Sequence, residues 1–278
     1  MIFVGIDIGS TTTEAVLLDE NKRPLASAQT NTGYELDKAA DRVVADCCAQ
    51  AGCDRADFTF CVSTGYGRDL VSFADTQFTE IACHAKGANF YFPEARGVID
   101  IGGQDSKAIS INAAGGLVDF AMNDKCAAGT GRFLEVMARI MNLEIGEMGR
   151  LSLQSTQDVK ISSICTVFAE SEVISLLAKK LYDPCDIMMG IHSSVVRRVN
   201  MLVQKARLEP PIVMTGGVAR NVGVIAAFER LLGTKLLIPE QPQLIGAVGA
   251  AVLALETYRK SAGETEAQSK PYNRRRYY

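Results

Sequence analysis

The chain has 278 residues, of which 47% are hydrophobic and 22% charged, which is close to the globular average and enough for two lobes with separate cores. No apolar run reaches the roughly 18 residues that a membrane-spanning helix requires, so we expect no membrane span. The formal net charge is −3 with acids and bases interspersed, which argues against the broad basic surface of a nucleic-acid-binding protein.

The N-terminal segment predicts a first β-strand rather than a secretory signal. Residues 1–7 read MIFVGID and lack both a basic region and a small-residue cleavage site. We therefore expect a cytoplasmic protein. In that compartment the eight cysteines are expected to be mostly reduced rather than paired as disulfides.

A strand-and-turn pattern occurs twice, 93 residues apart, as VGIDIGSTTT at 4–13 and GVIDIGGQDS at 97–106. In each copy an apolar run ends in Asp-Ile-Gly, a short polar turn follows, and a second apolar run begins. Each copy therefore predicts a β-hairpin. Glycine lets the turn approach a ligand closely, N–H groups and hydroxyls can surround phosphate oxygens, and the aspartate can hold hydrated Mg²⁺. An ordinary glycine hairpin is the alternative for one copy alone, but the repetition favours a triphosphate site.

Two further segments suit the remainder of a nucleotide. The turn at Gly216–Gly217 follows an apolar strand at 211–214 and opens a helical segment, so it can pass beneath a base and ribose. Residues 243–250 read QLIGAVGA, which predicts a small-residue helix behind the base with Gln243 at its entrance. A plain core helix is the alternative for everything except Gln243.

Together these segments resemble the superfamily of sugar kinases, Hsp70 and actin, in which two ribonuclease-H-like lobes close on ATP. The resemblance implies an α/β fold with duplicated lobes at 1–95 and 96–242, a helix at about 243–260 that packs back on the first lobe, and a tail at 261–278 without an assigned role. Asp7, Asp100 and Asp105 are the candidates for positioning Mg²⁺ or the attacking water. The candidate ATP/ADP-binding residues are Gly9, Ser10, Thr11, Thr12, Thr13, Gly102, Gly103, Gln104, Gly216, Gly217 and Gln243.

Two of the eight cysteines stand apart from the others. Cys126 and Cys165 each precede a helical pattern, where a thiolate benefits from the helix N-terminus. Neither has the CxxC spacing of a self-contained metal site, so spacing alone favours a structural role. The remaining cysteines are expected to be structural: Cys47, Cys48, Cys53, Cys61, Cys83 and Cys185.

Five motifs resemble those of the 2-hydroxyacyl-CoA dehydratase activators, a family that includes the ATPase subunits of benzoyl-CoA reductases. They are DKCAAGTGRF at 124–133, CTVFAESE at 165–172, IDIGGQDSK at 99–107, STGYGR at 63–68 and EIACHA at 80–85. The resemblance extends from residue 1 to about 258. One departure is Glu14, which stands where several members of the family have a lysine and could alter nucleotide binding or the cation requirement.

This second resemblance implies that Cys126 and Cys165 of two subunits hold one [4Fe–4S] cluster across a homodimer interface. It implies ferredoxin or flavodoxin as electron donor and the iron–sulfur protein of a dehydratase or reductase as acceptor. Lobe closure on ATP–Mg²⁺ would then move the cluster-bearing helices. Two alternatives remain open: a small-molecule (sugar) kinase of the same fold, and an ATP-gated binding module without catalysis.

Overall fold

The computed structural model describes residues 1–161 and 165–263. The chain forms two units. The first comprises Met1–Pro93, Ala113–Gly116 and the described residues from Gln243 onward, and the second comprises Glu94–Asn112 and Leu117–Pro242. The sequence predicts a continuous second lobe at 96–242, whereas in the structure the hairpin tip Ala113–Gly116 belongs to the first unit. Within the described residues no helix is both long and apolar enough to cross a membrane.

Regular elements cover most of both units. The strands are β1 (Ile2–Ile8), β2 (Thr12–Asp19), β3 (Pro24–Asn31), β4 (Phe58–Gly65), β5 (Thr76–Gln77), β6 (Gly97–Ile101), β7 (Ser106–Ile111), β8 (Leu117–Asn123), β9 (Ile212–Thr215) and β10 (Leu236–Leu237). The α-helices are α1 (Leu36–Ala51), α2 (Glu80–Tyr91), α3 (Gly131–Ile140), α4 (Ile145–Ser152), α5 (Thr166–Lys179), α6 (Pro184–Lys205), α7 (Val222–Leu232) and α8 (Ile245–Ser261).

The two units contain five-stranded sheets of the same topology. The first has the order β3-β2-β1-β4-β5 and the second the order β8-β7-β6-β9-β10. In each sheet the first three strands are antiparallel and the last two run parallel to the central strand. Both predicted hairpins, β1–β2 and β6–β7, are confirmed, and so is the duplicated α/β organisation.

Alternation along β1 distributes its side chains between two layers of helix. Val4, Ile6 and Ile8 are buried with the apolar side chains of α1, whereas Phe3 is buried with those of α8. Gly5 allows α8 to lie directly on the strand, since a Cβ there would be 2.0 Å from the Ala247 carbonyl oxygen. Asp7 lies on the same face as Gly5, so α8 reaches the end of the first predicted loop.

The core of the second unit fills one face of its sheet. Ile99, Ile101 and Ala108 are buried among apolar side chains of α3, α4, α6 and α7. The helices predicted to follow Cys126 and Cys165 are confirmed as α3 and α5. This packing joins the sheet, both cysteine-bearing segments and the predicted adenosine turn in one core.

A buried polar network ties three helices of the second unit together around His192. The ring Nδ1 lies 3.0 Å from Ser152 Oγ, and Nε2 lies 3.3 Å from Asn221 Nδ2. Since Ser152 Oγ donates to the Gly149 carbonyl at 2.8 Å, we assign the ring proton to Nδ1, leaving Nε2 to accept from Asn221. Asn221 also caps α7 through the Gly223 and Val224 amides. Burial lowers the pKa of His192 to about 4, which keeps the ring neutral.

We expect His192 to make the protein acid-sensitive in a defined window. An unfolded histidine titrates near 6.5 whereas the folded one titrates near 4, so the unfolded state binds the extra proton between these values. As the pH drops from 7.5 to 4, the free energy of unfolding should therefore decrease in both proteins, and the decrease should be about 3 kcal/mol larger in the wild type than in His192→Gln. Denaturant titrations across this range measure the difference, and parallel curves for both proteins would contradict the assignment.

Candidate functional site

The first predicted phosphate loop is a tight turn between β1 and β2. The Gly9 amide donates to the Thr12 carbonyl at 3.0 Å and closes the turn. Ser10 and Thr11 are exposed, whereas Thr13 is fully buried and its hydroxyl lies 2.9 Å from that of Thr32. Thr32 Oγ1 also donates to the Gly9 carbonyl at 2.8 Å, and the Thr32 amide donates to the Thr11 carbonyl at 2.9 Å. The loop is thus held open toward solvent at Ser10 and Thr11.

Asp7, the penultimate residue of β1, lies in a narrow space between Gly65 and Gly246. A Cβ on Gly65 would lie 2.4 Å from Asp7 Oδ1, and a Cβ on Gly246 would lie 1.9 Å from Asp7 Oδ2. His84 Nε2 lies 3.9 Å from the same Oδ2. Glu14 is directly opposite Asp7 in the β1–β2 register and is also buried, at 3% exposure. The aspartate therefore has little rotational freedom and is close to the first turn of α8.

The second predicted phosphate loop repeats the first turn at equivalent positions. The Gly102 amide donates to the Asp105 carbonyl at 3.0 Å, as Gly9 does to Thr12. Asp100 ends β6 and accepts from the buried Lys107, whose Nζ lies 3.2 Å from Asp100 Oδ2 and 2.7 Å from Asp105 Oδ2. Gly103 is half-buried and Gln104 is exposed at the tip. The loop therefore presents its backbone while Lys107 fixes both carboxylates.

The predicted adenosine turn lies beside Asp100. Thr215 Oγ1 donates to Asp100 Oδ1 at 2.8 Å. Gly216 has φ +81°, and a Cβ there would be 2.4 Å from the Ile101 carbonyl oxygen and 2.8 Å from Asp100 Oδ1, so only glycine fits. Gly217 is exposed and begins a short 3₁₀-helix. In this unit the structure brings the second phosphate loop and the adenosine turn together.

Gln243, the remaining predicted residue, belongs to the first unit. It is half-buried and lies two positions before the first residue of α8. The first helical turn that follows it contains Gly246, which contacts Asp7.

Some residues of the site were not predicted from the sequence. Gly65 in the first unit is the counterpart of Gly216 in the second. Each glycine follows a threonine at the end of a strand that is parallel to the central strand, and each has a positive φ. Each also lies against the carboxylate of an aspartate, Asp7 and Asp100 respectively. The repeated Thr-Gly pair, at 64–65 and 215–216, could have indicated Gly65 as a site residue. Lys107 and Thr32 gave no comparable signal, because a polar residue in or just after a strand is ordinary.

Cys126 lies in the loop between β8 and α3 and is half-buried. Asn123 Nδ2 donates to the Cys126 carbonyl at 2.8 Å, and Thr130 donates through both its amide and hydroxyl to the Ala127 carbonyl. Gly129 has φ +101° and lies against Arg198 of α6. These contacts order the loop immediately before α3.

The end of this loop is hydrogen-bonded directly to the second phosphate loop. The Gly131 amide donates to the Gly102 carbonyl at 2.9 Å, and the Arg132 amide donates to the Gly103 carbonyl at 2.8 Å. The two donors are the first residues of α3, whose amides have no partner within the helix. A displacement of the phosphate loop must therefore strain or move the start of α3, five residues after Cys126.

Cys165 is the N-cap residue of α5 and is also half-buried. Burial raises the pKa of five other thiols, to about 12 for Cys47, Cys61 and Cys83, to about 11 for Cys48, and upward for Cys185. Among the described residues no group of three or more metal-ligating side chains occurs. Cys126, five residues before α3, and Cys165, at the N-cap of α5, are two half-buried thiols.

Lys107 should be essential to the stability of the second loop. Lys107→Met leaves Asp100 buried beside an apolar side chain, so we expect a loss of about 3 kcal/mol in the free energy of unfolding. Lys205→Met, which changes an exposed lysine at the end of α6, should alter it by less than about 0.5 kcal/mol. Denaturant unfolding of both variants measures this, and equal stability of the two would refute the structural role of Lys107.

Two comparisons identify close relatives. The (R)-2-hydroxyglutaryl-CoA dehydratase activating ATPase of Acidaminococcus fermentans is 45% identical over 260 residues, covering 93% of this chain and 98% of that protein. The solved structure of the activator of the 2-hydroxyisocaproyl-CoA dehydratase from Clostridium difficile with bound ADPNP has a TM-score of 0.88 at 45% identity, covering 96% of this chain and 99% of that one.

A more distant likeness shows the fold. A glucokinase of the ROK family from Streptomyces griseus has a TM-score of 0.60 at 16% identity, covering 92% of this chain and 100% of that one. The predicted fold of the actin/Hsp70/sugar-kinase type is confirmed, and so is the resemblance to the dehydratase activators. With the family's sequence pattern matching residues 4–254, the chain belongs to the BadF/BadG/BcrA/BcrD ATPase family.

Proposed function

We propose that this protein is an ATP-hydrolysing, electron-transferring activator of a 2-hydroxyacyl-CoA dehydratase or a related acyl-CoA reductase. We further propose that it acts as a homodimer whose two copies share one [4Fe–4S] cluster on Cys126 and Cys165. Support comes from its relatives, which are named as dehydratase activators, and from the arrangement of the second unit.

The observation that carries the proposal is the pair of hydrogen bonds from Gly131 and Arg132 to Gly102 and Gly103. A sugar kinase needs the phosphate loop but does not require backbone bonds from that loop to a helix start that follows a half-buried cysteine. An electron-transfer ATPase needs such a connection, because the nucleotide state must reach the redox centre.

The nucleotide chemistry is assigned to both loops. Around the exposed positions Ser10, Thr11 and Gln104 the turns offer backbone amides and the Ser10 and Thr11 hydroxyls to phosphate oxygens, whereas the Gly9 and Gly102 amides close the turns. Asp7, Asp100 and Asp105 are the carboxylates available to hold hydrated Mg²⁺ or to orient the water that attacks the γ-phosphate. Asp105 is the most accessible of the three, with 29% of its side chain exposed against 4% for Asp100 and 12% for Asp7.

The cysteine pair fits a cluster shared between two chains. A [4Fe–4S] cluster takes four thiolates; each chain offers two half-buried thiols, Cys126 five residues before α3 and Cys165 at the N-cap of α5, and a two-fold axis supplies the other two. When bound, such a cluster supplies the transfer of one electron at a time, from reduced ferredoxin or flavodoxin to the iron–sulfur protein of the partner enzyme. The protein's own contribution is to orient these thiols through α3 and α5 and to bond the end of the Cys126 loop to the Gly102–Gly103 loop.

Iron analysis of protein purified without oxygen tests the cluster. We expect about four irons per dimer with the absorption and EPR spectra of a [4Fe–4S] centre, lost in Cys126→Ala and in Cys165→Ala. Cys185→Ala is the matched control, since Cys185 is also half-buried in the first turn of a helix, and it should retain the iron. Iron-free protein that phosphorylates a small sugar would refute the electron-transfer function.

The connection between loop and cysteine is tested by two substitutions of Gly131. Proline is favoured at the first position of a helix but has no N–H, so Gly131→Pro permits α3 while replacing the bond to Gly102 with a ring methylene that displaces the Gly102 carbonyl. Gly131→Ala introduces the same Cβ, 3.0 Å from the Gly102 carbonyl, but keeps the N–H. The proposed route predicts that ATP–Mg²⁺ changes the EPR spectrum of the wild-type cluster, and we expect this change to disappear in the proline variant and persist in the alanine variant. The same response in both would contradict the proposed route.

A further inference from the structure

The C-terminal end of α1, in the first unit, brings two half-buried cysteines, Cys48 and Cys53, next to each other. The helix is followed by Gly52, whose φ of 66° and ψ of 40° form the left-handed turn that folds the chain back over the last helical turn. The Cys53 amide then donates to the Cys48 carbonyl at 3.1 Å. At a helix end of this type the side chains on either side of the turn meet, and both cysteines pack against the same apolar core.

The spacing of the pair suits a disulfide. With 3.1 Å between the Cys53 nitrogen and the Cys48 oxygen, standard bond lengths keep the two Cα atoms within about 7 Å of each other. Disulfides join Cα atoms that lie roughly 4.4 to 6.8 Å apart. The two side chains also interact: burial raises the pKa of Cys48 to about 11, and the charge and hydrogen bonding of the Cys53 thiol add to that rise. The thiols therefore face each other across the turn.

The adjacent Cys47 is directed elsewhere. It is fully buried, and its Sγ donates to the Ala15 carbonyl of β2 at 3.4 Å. Burial raises the pKa of its thiol to about 12. Cys47 thus belongs to the contact between α1 and the sheet, and the pair at the helix end consists of Cys48 and Cys53.

We propose that Cys48 and Cys53 form a reversible disulfide site, which small disulfides oxidise by thiol–disulfide exchange. Cys53 lies between the exposed residues Gly52 and Asp54, so its thiolate attacks one sulfur of the small disulfide and releases one small thiol. The Cys48 thiol then gives its proton to water and attacks the Cys53 sulfur, which releases the second small thiol. The two cysteine sulfurs together lose two electrons, and the small disulfide gains them.

The helix end supplies the driving force for this bridge. Because the turn at Gly52 already holds the two residues together, the folded chain loses less conformational freedom on forming the bond than the unfolded chain does. The folded protein should therefore be easier to oxidise at this pair than the same cysteines in the unfolded protein. Neither ATP hydrolysis nor the shared cluster enters this inference.

The test equilibrates wild type, Cys48→Ser, Cys53→Ser and Cys185→Ser without oxygen in mixtures of reduced and oxidised glutathione. The samples are quenched with acid, denatured and labelled with N-ethylmaleimide. Trypsin releases residues 43–55 as one peptide, whose mass and fragments report the state of Cys47, Cys48 and Cys53. Cys185 is the matched control because it is also half-buried, and its thiol pKa is raised by burial and by Asp183 rather than by a second thiol.

Each protein has a distinct expected result. Wild type and Cys185→Ser should form the bridge between 48 and 53 and carry a label on Cys47 alone. The equilibrium constant for this bridge should be at least about tenfold greater in the folded wild type than in wild type unfolded in urea. Cys48→Ser should stop at a glutathione adduct on Cys53, whereas Cys53→Ser should carry labels on both Cys47 and Cys48, since the Cys48 thiol is held protonated.

Three results would overturn the inference. Labels on all three cysteines of the folded wild type at every glutathione ratio would assign the pair to packing alone. A bridge that includes Cys47 would show that the thiols do not face each other as described. Equal equilibrium constants for the folded and unfolded wild type would show that the helix end does not promote the bond. No iron or nucleotide is measured, so failure of the proposed function would leave this test unchanged.

Discussion

Two backbone hydrogen bonds, from the first amides of α3 to the Gly102 and Gly103 carbonyls, are the constraint on which the functional account depends. Helix N-termini have unpaired amides that must be satisfied, and here the phosphate loop satisfies them. The helix therefore cannot keep its start fixed if the loop moves. Because Cys126 lies only five residues before Gly131, we propose that a change at the nucleotide is transmitted mechanically to the Cys126 thiol.

The two duplicated hairpins share their turn geometry but differ in the residue opposite the aspartate. Both hairpins close with the same turn bond, and both central aspartates are backed by a positive-φ glycine at the end of a parallel strand. They differ opposite the aspartate, where the first unit has Glu14 and the second has Lys107. Lys107 fixes two carboxylates in the second unit, which leaves a rigid frame onto which the cysteine loop is bonded.

Most of the fold could be predicted from the sequence because its signals are local. Apolar runs broken by glycine turns predicted both hairpins, and helical spacing predicted α3 and α5 after their cysteines. The hydrogen bonds from Gly131 to Gly102 and from Arg132 to Gly103 could not be predicted, since each joins residues 29 positions apart that share no sequence pattern. Nor could the pairing of Lys107 with Asp100, because alternation in a strand assigns a face but not a partner.

Amide hydrogen exchange at Gly131 and Arg132, with and without ATP–Mg²⁺, tests the central claim most directly. If the phosphate loop controls the cysteine segment, nucleotide should change exchange at these two amides together with that of the loop at 102–105, while amides in the middle of α1 remain unchanged. A response confined to the loops at 9–13 and 102–105, with residues 126–132 unaffected, would show that nucleotide binding does not reach the cysteine and would contradict the account.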